Sequence, residues 1–158
     1  MVYMSTDLTW QTVSMNLNDT ERLGSGLGSR LRGGEVIELI SDVGGGKTTL
    51  VRSIAKGMGS KDTVGSPSFT LSREYRAGDK TLYHFDFYRL SDPGIVANEL
   101  AEVIGDPLGV VVVEWANIVE NVLPAHHLTI RIKTTSETKR QLVFEYPDNL
   151  QYLIPEES

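Results

Sequence analysis

Residues 35–50 constrain this chain more than any other stretch. Glu35-Val36-Ile37-Glu38-Leu39-Ile40 reads as a β-strand, Ser41-Asp42-Val43-Gly44-Gly45-Gly46 as a turn, and Lys47-Thr48-Thr49-Leu50 as the opening of a helix. A strand, a glycine loop and a helix that begins Lys-Thr form a phosphate-binding loop, or P-loop. Glycines let successive backbone N–H groups turn inward, where a Cβ would block a triphosphate. The helix adds its unpaired first-turn N–H groups and the positive end of its dipole. Lys47 is placed to reach the β- and γ-phosphates, and the Thr48 hydroxyl to ligate Mg²⁺. The nucleotide-binding candidates here are Asp42, Val43, Gly44, Gly45, Gly46, Lys47, Thr48 and Thr49. Ser41 replaces the first glycine of the pattern, at the strand end furthest from the γ-phosphate, where the change is tolerable. The bland alternative is a glycine turn with a solvated lysine; the flanking strand and helix argue against it.

With 158 residues, 40% hydrophobic and 23% charged, the chain has the size and composition of one ordinary globular domain. It has no cysteine, so disulfides, thiolate metal sites and cysteine nucleophiles are excluded. No apolar run approaches the ~20 residues that a membrane span needs. The first residues lack the pattern of a signal peptide, so a cytoplasmic location is expected. The formal charge is −6 and the cations are scattered, which argues against unaided binding of nucleic acid.

Taken in order, residues 1–10 look loosely anchored. Residues 11–17 alternate, with Val13, Met15 and Leu17 expected on the buried side of a strand. Asn18 or Asp19 is expected to cap a helix that runs to about Leu31, with Leu23, Leu27 and Leu31 on one face. Gly24, Gly26 and Gly28 weaken that helix and make it depend on packing. The helix after the P-loop should end near Met58, at Gly57 and Gly59. Residues 71–76 and 80–87 predict a hairpin, and 95–104 a helix. Val110-Val111-Val112-Val113-Glu114 predicts a central strand covered on both faces. A short helix at 115–122 and strands at 128–133 and 141–146 follow, with a frayed tail from Pro147. The fold expected is a single three-layer α/β domain of the P-loop NTPase type over 1–158, with a mixed, largely parallel central sheet.

Two acids stand at strand ends. Asp86 is a candidate to hold Mg²⁺ or its waters. If the tetravaline strand neighbours the P-loop strand, Glu114 opens onto the crevice at the carboxyl edge of the sheet. There it can orient an attacking water or complete the metal shell. Each acid can instead simply pair with a lysine or cap a helix. Lys47, Asp86 and Glu114 form the catalytic set, and Thr48, Asp86 and Glu114 the metal set. Ser68 and Thr70, in the hydroxyl-rich loop 66–70, are candidates to sense a γ-phosphate. Trp115 suits either the core or a cover over the nucleotide. His84 is read as a packing or hydrogen-bonding residue, and His126-His127 lacks partners at metal-binding spacing.

Several blocks together resemble the TsaE (YjeE) family of bacterial P-loop ATPases of tRNA threonylcarbamoyladenosine synthesis. They are Ser41 to Leu50, Ser66-Pro67-Ser68-Phe69-Thr70-Leu71, Tyr83-His84-Phe85-Asp86-Phe87-Tyr88-Arg89-Leu90 and Val113-Glu114-Trp115. The resemblance spans about Thr12 to Ile132. Departures include Ser41, Val43 and Gly45 in the P-loop, Ser68 for the usual threonine, and Ala116-Asn117 where the family commonly has Pro-Glu. The resemblance implies an ATPase, weak alone, that acts with the TsaB–TsaD pair on adenosine 37 of tRNAs reading ANN codons. It meets tRNA only through that complex and has no membrane partner. The alternative is a small-molecule kinase, disfavoured because the second half carries no arginine-rich lid. No Asn-Lys-x-Asp motif is present to read guanine.

Overall fold

Val110 to Val113 lie buried on an interior strand covered on both faces of the sheet, as a continuous β-branched run requires. The computed structural model describes residues 7–41, 46–61, 72–87 and 94–156. Its strands are β1 (Leu8–Ser14), β2 (Val36–Ser41), β3 (Ser72–Ala77), β4 (Lys80–Asp86), β5 (Gly109–Glu114), β6 (Leu128–Thr134) and β7 (Arg140–Tyr146). Its helices are α1 (Leu17–Arg30), α2 (Lys47–Met58) and α3 (Gly94–Ile104), with 3-10 turns at Ala116–Val119 and Asp148–Leu153. The strands form one mixed sheet in the order β1-β7-β6-β2-β5-β4-β3. The inner four, β6, β2, β5 and β4, run parallel. Antiparallel pairs flank them: β3 on β4, and β7 then β1 beyond β6.

Helices α1 and α2 cover one face, where Leu27, Leu50 and Ile54 pack on Leu39, Val112 and Ile130. Helix α3 and the turn at 116–119 cover the other, where Leu100 and Val119 meet Phe85, Val111 and Val113. Among the described residues this second cluster takes nothing from β6, β7 or β1, so the third layer lies over β2, β5 and β4. No helix among the described residues is long and apolar enough to cross a membrane.

The glycines of α1 do depend on packing. A Cβ at Gly28 would collide with the Ile54 carbonyl, and one at Gly57 with the Ser25 carbonyl, so the helices meet backbone to backbone. Gly57 therefore lies inside α2, and Gly59, in the left-handed region at φ 101°, ends it.

Four further sequence expectations need correction. Residues 8–10 belong to β1, where Trp10 packs edge-on against Phe144, with ring centroids 5.3 Å apart. That contact sets the parity of the strand: Ser14 turns inward, while Val13, Met15 and Leu17 are exposed. Asn16, not Asn18 or Asp19, caps α1: its side chain accepts from the Asp19 N–H at 2.9 Å. The Asp19 carboxylate reaches back to the Met15 N–H, also at 2.9 Å. The tail is anchored rather than frayed, because Leu150, Leu153 and Ile154 are buried in the core.

The tail also closes the amino edge of the sheet. Glu35, just before β2, is buried and accepts from the N–H groups of Arg32 (2.8 Å) and Gly33 (2.7 Å). The Tyr152 hydroxyl donates to it at 2.7 Å, and the Arg32 guanidinium lies 3.9 Å over the Tyr152 ring. Burial, then the bond to Glu35, pushes the Tyr152 hydroxyl's pKa well up.

Candidate functional site

The site forms where β2, β4 and β5 reach their carboxyl ends and α2 begins. Asp42, Val43, Gly44 and Gly45, like Ser68 and Thr70, lie outside the described residues. Gly46 is described: it leads into α2 at φ 92°, a left-handed conformation that suits glycine. No described side chain caps α2, and its first turn holds no acid. A helix start of this kind presents N–H groups and positive dipole to an anion. Thr48 is exposed there, as a hydroxyl that serves an incoming metal must be.

β5 neighbours β2, with Leu39 in register with Glu114, and Glu114 in turn with Asp86 of β4. Alternation puts His84 on the same face as Asp86, the α2 face. The Glu114 carboxylate is 5% exposed and divides its two oxygens between two partners. Oε1 lies 3.4 Å from Lys47 Nζ, and Oε2 lies 2.5 Å from His84 Nε2. Burial by itself raises the Glu114 carboxyl, but the hydrogen bond and charge of His84 and then Lys47 outweigh it. The group therefore stays below its ordinary value, ionised at neutral pH.

The chain turns sharply just after Glu114. Trp115 takes φ 57°, the one described non-glycine residue at positive φ. Its ring centroid stands 5.1 Å from the Lys47 ammonium, so cation, carboxylate and indole form one group. Asp86 is exposed at the end of β4. The described acids and histidines form no cluster of three able to hold a metal. Thr48 and Asp86 are the exposed described residues at this edge whose oxygens a metal could reach.

A cavity of about 550 Å³ opens beside the start of α2, lined by Gly46, Thr49, Asn16, Asn18, Thr138 and Arg140 among others. The cavity adjoins Gly46, where α2 begins. Its wall from the amino end of α1 and the 137–140 turn is not apparent from local motifs. Arg140 Nη1 donates to the Ser136 and Lys139 carbonyls, both at 3.0 Å, which fixes that turn. The role of His84 is equally hidden: alternation with Asp86 signals its face, but only the register of β4 on β5 shows its partner. His127 stands apart, bonded to the Pro124 carbonyl (2.7 Å) and to Glu38 (3.2 Å).

The sequence profile described as "Threonylcarbamoyl adenosine biosynthesis protein TsaE" matches residues 14–142. A tRNA threonylcarbamoyladenosine biosynthesis protein TsaE from Bacillus subtilis is 35% identical over 150 residues, covering 95% of this chain and 92% of that one. Its counterpart from Treponema pallidum is 35% identical over 130 residues, covering 82% and 96%. The crystal structure of Bacillus subtilis YdiB superposes with a TM-score of 0.69 at 32% identity, covering 94% of this chain and 90% of that one.

Proposed function

The chain belongs to the TsaE family of tRNA threonylcarbamoyladenosine biosynthesis proteins, and from that premise we propose that it binds and hydrolyses ATP with Mg²⁺, as an accessory that acts with the TsaB–TsaD pair. The observation that carries this reading is the placement of Lys47. It heads a helix that no described side chain caps, and its ammonium contacts a buried, ionised Glu114. A triphosphate at that helix start offers Lys47 a denser negative charge than one carboxylate does. Lys47 then turns to the β- and γ-phosphates, and Glu114 is released to orient water. Thr48 and Asp86 are the residues that would hold Mg²⁺ or its waters. When bound, Mg²⁺ neutralises charge on the β- and γ-oxygens. Asn16, Thr138 and Arg140 would flank the nucleoside, and Trp115 would shield Lys47 from water. A cytoplasmic site of action accompanies this reading.

The test follows γ-phosphate from labelled ATP, with and without TsaB–TsaD, alongside threonylcarbamoyladenosine formed on tRNA. Release to water, stimulated by the pair and abolished in Lys47→Ala, is expected. Transfer to an added metabolite would instead make the chain a kinase. A Lys47→Ala variant that binds Mg·ATP as tightly as the parent would remove the phosphate cradle from the argument.

A further inference from the structure

We propose that His84 is the positioning residue of Glu114, holding Oε2 in place while Oε1 gives up Lys47; the inference rests on the ATPase reading above. The two oxygens have partners of unequal reach. Lys47 contacts Oε1 at 3.4 Å from the end of a flexible four-carbon stem. His84 contacts Oε2 at 2.5 Å from a short side chain that is 12% exposed, on the strand next to that of Glu114. Facing a carboxylate, Nε2 carries the hydrogen and donates.

The strands are pinned at this level. Asp86 stands in register with Glu114, and the Phe87 N–H donates to the Glu114 carbonyl at 3.1 Å. A glutamate carboxylate turns through a broad, roughly two-fold torsion. Without a second hold it would swing as soon as Lys47 moved to phosphate. With His84 in place only Oε1 is exchanged, and the carboxylate keeps its direction through the cycle.

Glutamine and asparagine at position 84 separate positioning from mere polarity. The amide nitrogen of glutamine reaches roughly where Nε2 stands, and that of asparagine falls short. His84→Asn is expected to lower kcat by about 10- to 100-fold, the scale of a misplaced reacting group, with KM for ATP little changed. His84→Gln is expected to recover most of that loss. A second readout needs no turnover. The imidazole Nε2–H proton should give a downfield NMR signal that survives addition of Mg·ATP and survives Lys47→Ala, but disappears in Glu114→Ala.

Loss of the signal when Mg·ATP binds would overturn the inference, because His84 would then not hold Glu114 in the working state. Equal kcat in the parent and His84→Asn would overturn it while leaving the ATPase reading intact. A parent protein that hydrolyses no ATP, alone or with its partners, would fail the functional reading and the role of His84 together.

Discussion

Glu35 and Glu114 are both buried glutamates, 4% and 5% exposed, at opposite ends of neighbouring parallel strands. Their partners differ in kind. Glu35 is held by two backbone N–H groups from its own loop and by a tyrosine hydroxyl, all neutral donors. Glu114 is held by Lys47 and His84, side chains that can carry charge and, for Lys47, move. A carboxylate satisfied by the backbone has nowhere else to turn and stabilises one conformation. A carboxylate satisfied by a mobile cation is in equilibrium with a state in which that cation serves another anion. Burial is the same for both, so it is the kind of partner that distinguishes the acid held for stability from the one proposed to work.

The largest expected effect lies at the structural end. Glu35→Ala strands the Arg32 and Gly33 N–H groups and the Tyr152 hydroxyl, at about 4 kcal/mol of stability by chemical denaturation. ATP turnover per folded molecule should stay near the parental value. A loss of turnover out of proportion to the unfolded fraction would break the comparison. Next comes Glu114→Gln, with hydrolysis lower by about 10²-fold, or ~2.7 kcal/mol of barrier. It should fold with a smaller stability change than Glu35→Ala and still bind Mg·ATP. Undiminished hydrolysis would return Glu114 to the structural class.

Tyr152→Phe sharpens the first half by removing one neutral donor, at about 1 kcal/mol, visible as a lower midpoint in urea. No change would mean that the two backbone donors suffice. The smallest effect concerns Glu38, a half-buried glutamate paired with a histidine. The hydrogen bond that His127 donates to Glu38 raises the His127 pKa, against a smaller opposing effect of burial, with the Pro124 carbonyl assisting. A raised folded-state pKa means stabilisation that is complete below the unfolded pKa, near 6.5. It is lost as pH rises through the higher folded value. The stability gap between the parent and His127→Gln should therefore be under about 1 kcal/mol and should narrow from pH 6 to pH 8. A gap that widens over that range would contradict the assigned pairing.

The P-loop strand, its helix and the tetravaline strand were legible because local chemistry dictates them. A β-branched run, a glycine cluster and a Lys-Thr helix start need no distant partner to be recognised. The position of Glu114 beside the P-loop strand followed from the same reading, once β5 was taken as central. The parity of β1 was not legible from Val13, Met15 and Leu17, because Trp10 outweighs them by packing on Phe144, far away in sequence. The tail carried a usable signal in Leu150, Leu153 and Ile154, spaced at i, i+3 and i+4, but Pro147 and the terminal acids masked it. His84 is read as a packing or hydrogen-bonding residue, but its partner Glu114, like the place of Arg140, escaped for a third reason. Their placement depends on strand register and on the return of the β6–β7 turn toward α1, which no window of sequence contains.

The backbone seat between Gly28 and Gly57 has a consequence for the cavity beside Gly46. Helices α1 and α2 both begin at the cavity, and further along they meet without an intervening layer of side chains. Two rods clamped in this way behave as the fixed jaw of a caliper. The other jaw is the turn at 137–140, which Arg140 tethers to its own carbonyls. The width of the cavity is thus set by a backbone-to-backbone seat on one side and by a single guanidinium on the other.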